Sequence, residues 1–446
     1  MARKPNPPRQ LDVVIAGGGI AAIEALLALR DLAADSVRIE LLAPETEFVH
    51  RPLFVAEPFG IGEAQRLRLA DVAAEHGAAL RPDALASVDA GRQMLTTAGG
   101  DEVRYDALLI ATGARPVRAI PGALTFGDPR EREFFAALLD QLGSRAGEQL
   151  AFLVPPEVKW SLAAYELALL TVSHLRARSA AKVKVAVITH EAEPLELLGA
   201  AAVGALTELL EASRVGLERS AVVTSFESGA VRLSDGGSIR SDHAVALPAL
   251  EAPKIAGLPY GPRGFLPTDA RMHVAGLDLV WAAGDVTWFP IKQGGLAAQQ
   301  AEVAATAIAA TADARVPAAT FRPVLRTALV TGAVPLLLEQ SAPGVATEKG
   351  SWWPPAKAAG RYIGTYLAGE RRGRPREEAP EGIREAMESE AEHREAVEFA
   401  LAAADSDARV GNLTGALEWL DLVEEMNLVI PPAYAERRRR WKRAVG

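Results

Sequence analysis

Residues 11–16 (Leu-Asp-Val-Val-Ile-Ala) form an apolar run that ends at Gly17-Gly18-Gly19, and residues 20–32 continue as an apolar helix. Residues 37–42 read as a second strand, so the chain opens β–α–β. That opening predicts a parallel sheet with a ligand at the carboxyl ends of its strands. Short alternating segments at 86–89, 94–97 and 103–105, joined by Gly91 and Gly99-Gly100, predict a hairpin-like layer before the buried strand 107–111. The alternation then restarts. Strand 150–154, helix 161–178, strand 183–189, helix 198–214 and short strands to Leu247 predict a second α/β domain over 121–250. An apolar strand at 279–283 and an alanine-rich helix from Gly295 to about Ala312 return to the first domain, which therefore comprises 11–120 and 251–320.

Residues 1–10 read as a loose polar tail, and 321–370 as a mixed region. Charges dominate from Arg371, where Pro375 and Pro380 mark a linker, and 371–446 reads as that linker plus a helical appendage. Helices are predicted over 382–403 and 413–425, the latter with an apolar face of Leu417, Leu420 and Leu422. The appendage is expected to pack on the body or on a second copy of the chain. The fold class is thus α/β: two doubly wound Rossmann-like domains with a C-terminal α-helical extension.

The 446 residues allow roughly three domains' worth of chain. With 48 basic against 57 acidic residues the formal charge is −9, which argues against nucleic acid as a partner. The apolar stretch 328–338 is too short to span a bilayer. A cytoplasmic location is expected. Trp352 and Trp353 near that stretch, and the basic Arg437 to Arg440 with Lys442 and Arg443, leave two readings open. One is a peripheral contact at the inner membrane face; the other is core tryptophans and a solvated helix end. The sequence holds no cysteine. That excludes disulfides, thiolate metal sites, iron–sulfur clusters and a cysteine nucleophile, so any redox chemistry needs a bound cofactor.

The first chemical motif is Gly17-x-Gly19-x-x-Ala22 between strand and helix. Gly17 permits the tight turn, Gly19 lets the backbone approach a pyrophosphate, and Ala22 lets the helix pack closely on the sheet. No acid ends the second strand, where one usually meets the adenosine ribose. Glu40 lies within that strand and Glu45 just past it, and Glu45 is the better candidate. Two more strand ends, Ala111-Thr112-Gly113 and Gly284-Asp285, follow in order. The lysine of Pro290-Ile-Lys292-Gln-Gly294-Gly295 stands directly before a glycine-started helix, so a cation and a helix N-terminus coincide. The corresponding turn of the second domain is Val154-Pro155-Pro156-Glu157-Val158-Lys159-Trp160-Ser161. It has no glycine, and its prolines remove N–H donors, so conventional NAD(P)H binding there is disfavoured.

Together these motifs resemble the FAD fingerprints of the two-dinucleotide-domain flavoproteins, in particular the sulfide:quinone oxidoreductase branch of the pyridine nucleotide-disulfide oxidoreductases and its type II NADH dehydrogenase relatives. The resemblance covers roughly residues 10–370. It implies FAD as cofactor, with Asp285 on the ribityl chain and Thr112 and Gly113 near the adenosine-phosphate part. Lys292, Gly294 and Gly295 would face the flavin edge where reduction places negative charge. Arg51 and Pro52 would run beside the FAD, and His50 is a candidate proton donor or else a structural histidine. The segment 321–332 with Trp352, Trp353 and Lys357 resembles the region that covers the flavin and helps form a quinone pocket. Relatives that oxidise sulfide use redox cysteines, so that mechanism is excluded. The expected activity is electron transfer from a small-molecule donor through FAD to a quinone or similar acceptor, in a chain that could self-associate through its C-terminal region. The alternatives are an NAD(P)H-dependent flavoprotein dehydrogenase and a non-catalytic, partner-recruiting flavin binder.

Overall fold

The computed structural model describes residues 10–144, 147–179, 182–332, 336–339, 360–367, 401, 404–405, 407–409, 412–425 and 430–445. In chain order, β1 (Leu11–Ala16), α1 (Ile20–Leu32), β2 (Val37–Leu42), β3 (Ala79–Arg81) and β4 (Ala107–Ile110) come first. The chain then leaves to build β5 (Leu124–Thr125), β6 (Gln149–Val154), α2 (Leu162–Ala177), β7 (Lys184–Thr189), α3 (Ala200–Ser213), β8 (Gly216–Glu218) and β9 (His243–Ala246). It returns with β10 (Val280–Ala282) and α4 (Gly294–Thr311). The strands form two parallel five-stranded sheets, β10-β4-β1-β2-β3 and β5-β9-β6-β7-β8.

The continuous apolar run of β1 has a simple cause: both of its faces are covered. Val13 and Ile15 join the core built by α1 and α4, whereas Val14 and Ala16 join the core under the antiparallel strands Leu85–Asp89, Met94–Thr97 and Glu102–Arg104. Register is fixed on both sides, with Val13 opposite Ile39 and Ala107. Alanines at 21, 25 and 28 of α1 and at 297, 301 and 304 of α4 are buried together, so small side chains let the two helices lie close over the sheet.

Beyond α4 a hairpin of Arg326–Leu329 and Leu336–Glu339 is tied to α2 where the N–H of Val330 donates to Glu166 at 2.8 Å. Among the described residues, three further helices follow: α5 (Ile363–Leu367), α6 (Leu413–Glu425) and α7 (Pro432–Val445). On α6, Ala416, Trp419, Leu420 and Val423 form one buried stripe at helical spacing. The appendage packs on the body of its own chain: Lys159 of the second domain pairs with Asp407 at 2.7 Å. Trp352, Trp353, Lys357, and nearly all of the helix expected over 382–403, lie outside the described residues.

One buried acid interrupts the apolar face of α1. Glu24 is 0% exposed and accepts the N–H groups of Tyr362 (3.1 Å) and Ile363 (2.6 Å), anchoring the start of α5 on the first domain. Desolvation outweighs these donors and raises its pKa from 4.5 to about 7. Between those values the native state keeps a proton that the unfolded chain releases, so this group's contribution to stability declines as pH rises through the window. Glu24→Gln, which mimics the protonated acid, is therefore expected to gain stability relative to the unchanged protein between pH 5 and pH 8, by up to about 3 kcal/mol at 1.36 kcal/mol per pH unit. Urea unfolding of both proteins at the two pH values checks this, and a pH-independent difference would contradict it.

Candidate functional site

The carboxyl ends of β1, β4 and β10 open into a cleft of about 840 Å³. Gly17 sits at its floor with φ +136°, and its N–H donates to Leu42 at 2.8 Å. A Cβ here would lie 2.1 Å from the carbonyl oxygen of Ala111, so the position accepts only glycine. Around Gly19, by contrast, the Cβ position meets nothing within 4 Å, and no side chain caps α1. The unpaired N–H groups of that helix start therefore face open space, as an anion site requires. Ala22 is buried at the helix–sheet contact and does not line the cleft.

Of the two ribose candidates, Glu40 is taken by Arg81 on the neighbouring strand, and Arg81 also binds Asp101 at 2.9 Å. Glu45 is exposed and lines the cleft. Thr112 and Gly113 line it as well, Gly113 with φ +69°, and the buried Thr112 Oγ1 has no hydrogen-bond partner among the described residues.

Asp285 and Lys292 line the same cleft. Asp285 follows Gly284, whose φ is +82° and whose Cβ position would be 3.1 Å from that of Ala21, so the strand end is pressed against α1. Burial raises the Asp285 pKa while the positive charges of Lys292 and Arg51 oppose the rise. The Lys292 ammonium donates to the Thr287 carbonyl and lies 3.8 Å from the centre of the Phe265 ring. Burial depresses its pKa to about 7 against the pull of Asp285. Gln293 caps α4, accepting the N–H of Leu296 at 2.8 Å and donating to Arg326 at 3.0 Å; Gln300 accepts the N–H of Gly284 at 2.8 Å. Gly294 lines the cleft and Gly295 is buried behind it.

Arg51 and Pro52 line the cleft, but His50 does not. It is 1% exposed and its ring lies 6.4 Å from that of Phe48. The short strand Glu47–Val49 turns Phe48 inward and Glu47 and Val49 toward the cleft, and His50, just past it, is buried. A proton donor's role at the cleft is not supported by that placement, and the structural alternative is the one its burial favours.

Thr327, in the segment 321–332 expected to cover the flavin, lines the cleft, and so do residues that pattern reading missed: Phe265, Arg263, Trp160 and Lys159 of the second domain, and Glu418 of α6. Glu418 lies 3.9 Å from Arg263, and burial raises its pKa against the charges of Lys159, Arg263 and Lys292. None carries a local signal, since each is brought in by a distant part of the chain.

A family model described as pyridine nucleotide-disulphide oxidoreductase matches residues 11–147 and 161–312, more than half of the chain. The interruption holds the Pro155-Pro156 turn. Among solved structures, a sulfide:quinone oxidoreductase from the hyperthermophilic bacterium Aquifex aeolicus is similar with a TM-score of 0.66 at 20% identity, covering 72% of this chain and 82% of that one. Putidaredoxin reductase in its covalent complex with putidaredoxin gives 0.55 at 19% identity, over 74% and 81%. A chain of the Tetrahymena thermophila mitochondrial ATP synthase gives 0.61 at 11% identity, over 84% of this chain and 100% of that one. No curated protein matches the sequence. At these identities the structures speak for the fold, the family match for membership: the chain belongs to the pyridine nucleotide-disulphide oxidoreductase family of flavoprotein oxidoreductases and contains no cysteine.

Proposed function

We propose that this protein is an FAD-dependent oxidoreductase that passes electrons from a small-molecule donor to a quinone or similar acceptor, with the flavin as its only redox centre. The observation that carries this reading is the placement of Gly17, Gly19, Thr112, Asp285 and Lys292 along one cleft. The residues present fit the group. Gly17 and the free start of α1 leave a cradle that a Cβ at Gly17 would close, Thr112 Oγ1 offers an unpartnered polar atom, and the Asp285 carboxylate carries no hydrogen bond to another described residue.

When bound, FAD supplies two-electron redox chemistry that these side chains lack. The α1 N-terminus would take the pyrophosphate, Glu45 the adenosine ribose, and Asp285 the ribityl hydroxyls. Lys292 and the α4 N-terminus would place positive potential where negative charge develops on reduction. The Lys292 ammonium can also exchange its proton near neutral pH. Phe265, against the Lys292 ammonium, and Trp160 and Thr327 add apolar lining to the cleft.

A quinone acceptor would bring the reaction to a membrane surface. No helix among the described residues is long and apolar enough to cross one. On α7, Arg437 and Arg438 are paired with Asp405 and Asp421, while Arg439, Arg440 and Arg443 are exposed and free to meet anionic headgroups. A second, non-catalytic reading draws on the likeness, over 84% of this chain and 100% of that one, to a chain of the Tetrahymena thermophila mitochondrial ATP synthase. Anaerobic mixing of the flavin-loaded protein with a panel of donors and a soluble quinone analogue separates the two, because a partner-recruiting flavin binder is reduced by none of them.

The purified protein is expected to be yellow, and Asp285→Ala to weaken FAD retention at least about tenfold, the equivalent of 1.4 kcal/mol. Unchanged flavin occupancy after dialysis would remove Asp285 from the ribityl chain. The flavin midpoint potential is expected to fall additionally as pH rises through about 7, where Lys292 loses its charge. Lys292→Met should show a lower potential below that pH and no such inflection. Equal potential–pH curves for the two proteins would show that Lys292 does not act on the flavin.

A further inference from the structure

The second domain has its own place for a nucleotide. β6 lies between β9 and β7, so the sheet order reverses there, and the carboxyl end of β6 is where a doubly wound domain takes its ligand. Here that place is filled by the chain itself. The Asp407 carboxylate accepts Lys159 Nζ at 2.7 Å, Trp419 Nε1 at 3.0 Å and Asn412 Nδ2 at 3.1 Å. Asn412 Nδ2 and Lys159 Nζ also donate to the Pro156 carbonyl, each at 3.3 Å. The Lys159 and Asp407 side chains are 5% and 6% exposed, so the pair is desolvated on all sides.

The fit is close. At Gly415, in the first turn of α6, a Cβ would lie 2.4 Å from Lys159 Nζ, 2.5 Å from Asn412 Nδ2 and 2.8 Å from the Asp407 carboxylate, so a side chain there would have to displace these groups. Arg409 adds a contact to Glu196 at 3.8 Å. Beyond them Glu191, just past β7 where a ribose-binding acid would stand, is fully engaged. It accepts Ser161 Oγ at 2.8 Å, Tyr165 OH at 2.6 Å, Thr189 Oγ1 at 2.9 Å and the Leu195 N–H at 3.2 Å. The ribose position is thus closed from within, the phosphate position by Asp407, and Glu418 of α6 reaches the cleft of the first domain.

We propose that Asp407 and α6 are a built-in occupant of the second domain's nucleotide site, with an internal carboxylate in place of a phosphate, and that they set donor specificity by excluding NAD(P)H. The donor is then one that does not need this site. The route of electrons rests on the flavin reading above; the occupancy itself does not.

The test uses the full-length protein. Equilibrium dialysis should show NADH and NADPH binding no tighter than about 1 mM. Amide exchange should show α6 and the 155–161 turn protected, with no change on adding either nucleotide. Micromolar binding of either, or unprotected α6 amides, overturns the proposal. Gly415→Leu drives α6 off Lys159: exchange in α6 should accelerate at least about tenfold, and iodide quenching of the flavin should rise at least about twofold as the wall opens. Released α6 with unchanged quenching also overturns it. If Gly415→Leu does not accumulate, dialysis and exchange on the unchanged protein still decide. If the protein takes up no FAD, the functional reading fails, while the nucleotide and exchange measurements still report on the occupied site.

Discussion

The structure depends on one close approach. At Gly17 the backbone comes so near the Ala111 carbonyl that no side chain fits, and this brings the ends of β1 and β4 together beneath the start of α1. A helix N-terminus then points into the cleft with its donors unpaired. Gly284 repeats the device at the end of β10, where contact with Ala21 sets the position of Asp285. The buried alanines of α1 and α4 serve the same end, because bulkier residues would lift both helices from the sheet and carry Lys292 and Gly294 away. Site geometry and core packing are therefore one constraint.

The electrostatics of the cleft follow from that packing. Asp285, Lys292, Arg51, Arg263 and Glu418 share a space partly closed to water, so desolvation pushes Asp285 and Glu418 toward their neutral forms and Lys292 toward its own, while their mutual attraction opposes all three shifts. On the proposed reading, a group poised near neutrality beside a flavin would be suited to coupling proton and electron movement. Without cysteine the chain has no thiol pair to relay electrons, and the second domain, which would bring a nicotinamide to the flavin, is closed by the chain's own C-terminal helices.

What was legible in the sequence was what is local. The glycine turn, Thr112-Gly113, Gly284-Asp285 and the lysine before α4 each declare themselves within a few residues, and the apolar runs of both sheets are continuous because both faces are buried. The helix at 413–425 was equally plain from its apolar stripe. Lys159 and Asp407 were not, because 248 residues separate them and each alone reads as a solvated charge. Glu24 offered a partial signal, a single acid within an apolar helix, though its N–H donors lie more than 300 residues away.

The central claim is that a flavin in this cleft is the molecule's sole redox centre, and an anaerobic reductive titration tests it most directly. Full bleaching of bound FAD, one per chain, after two electrons per chain is the result this account predicts. Uptake of further electrons, or a folded protein that holds no FAD at any concentration, would contradict it.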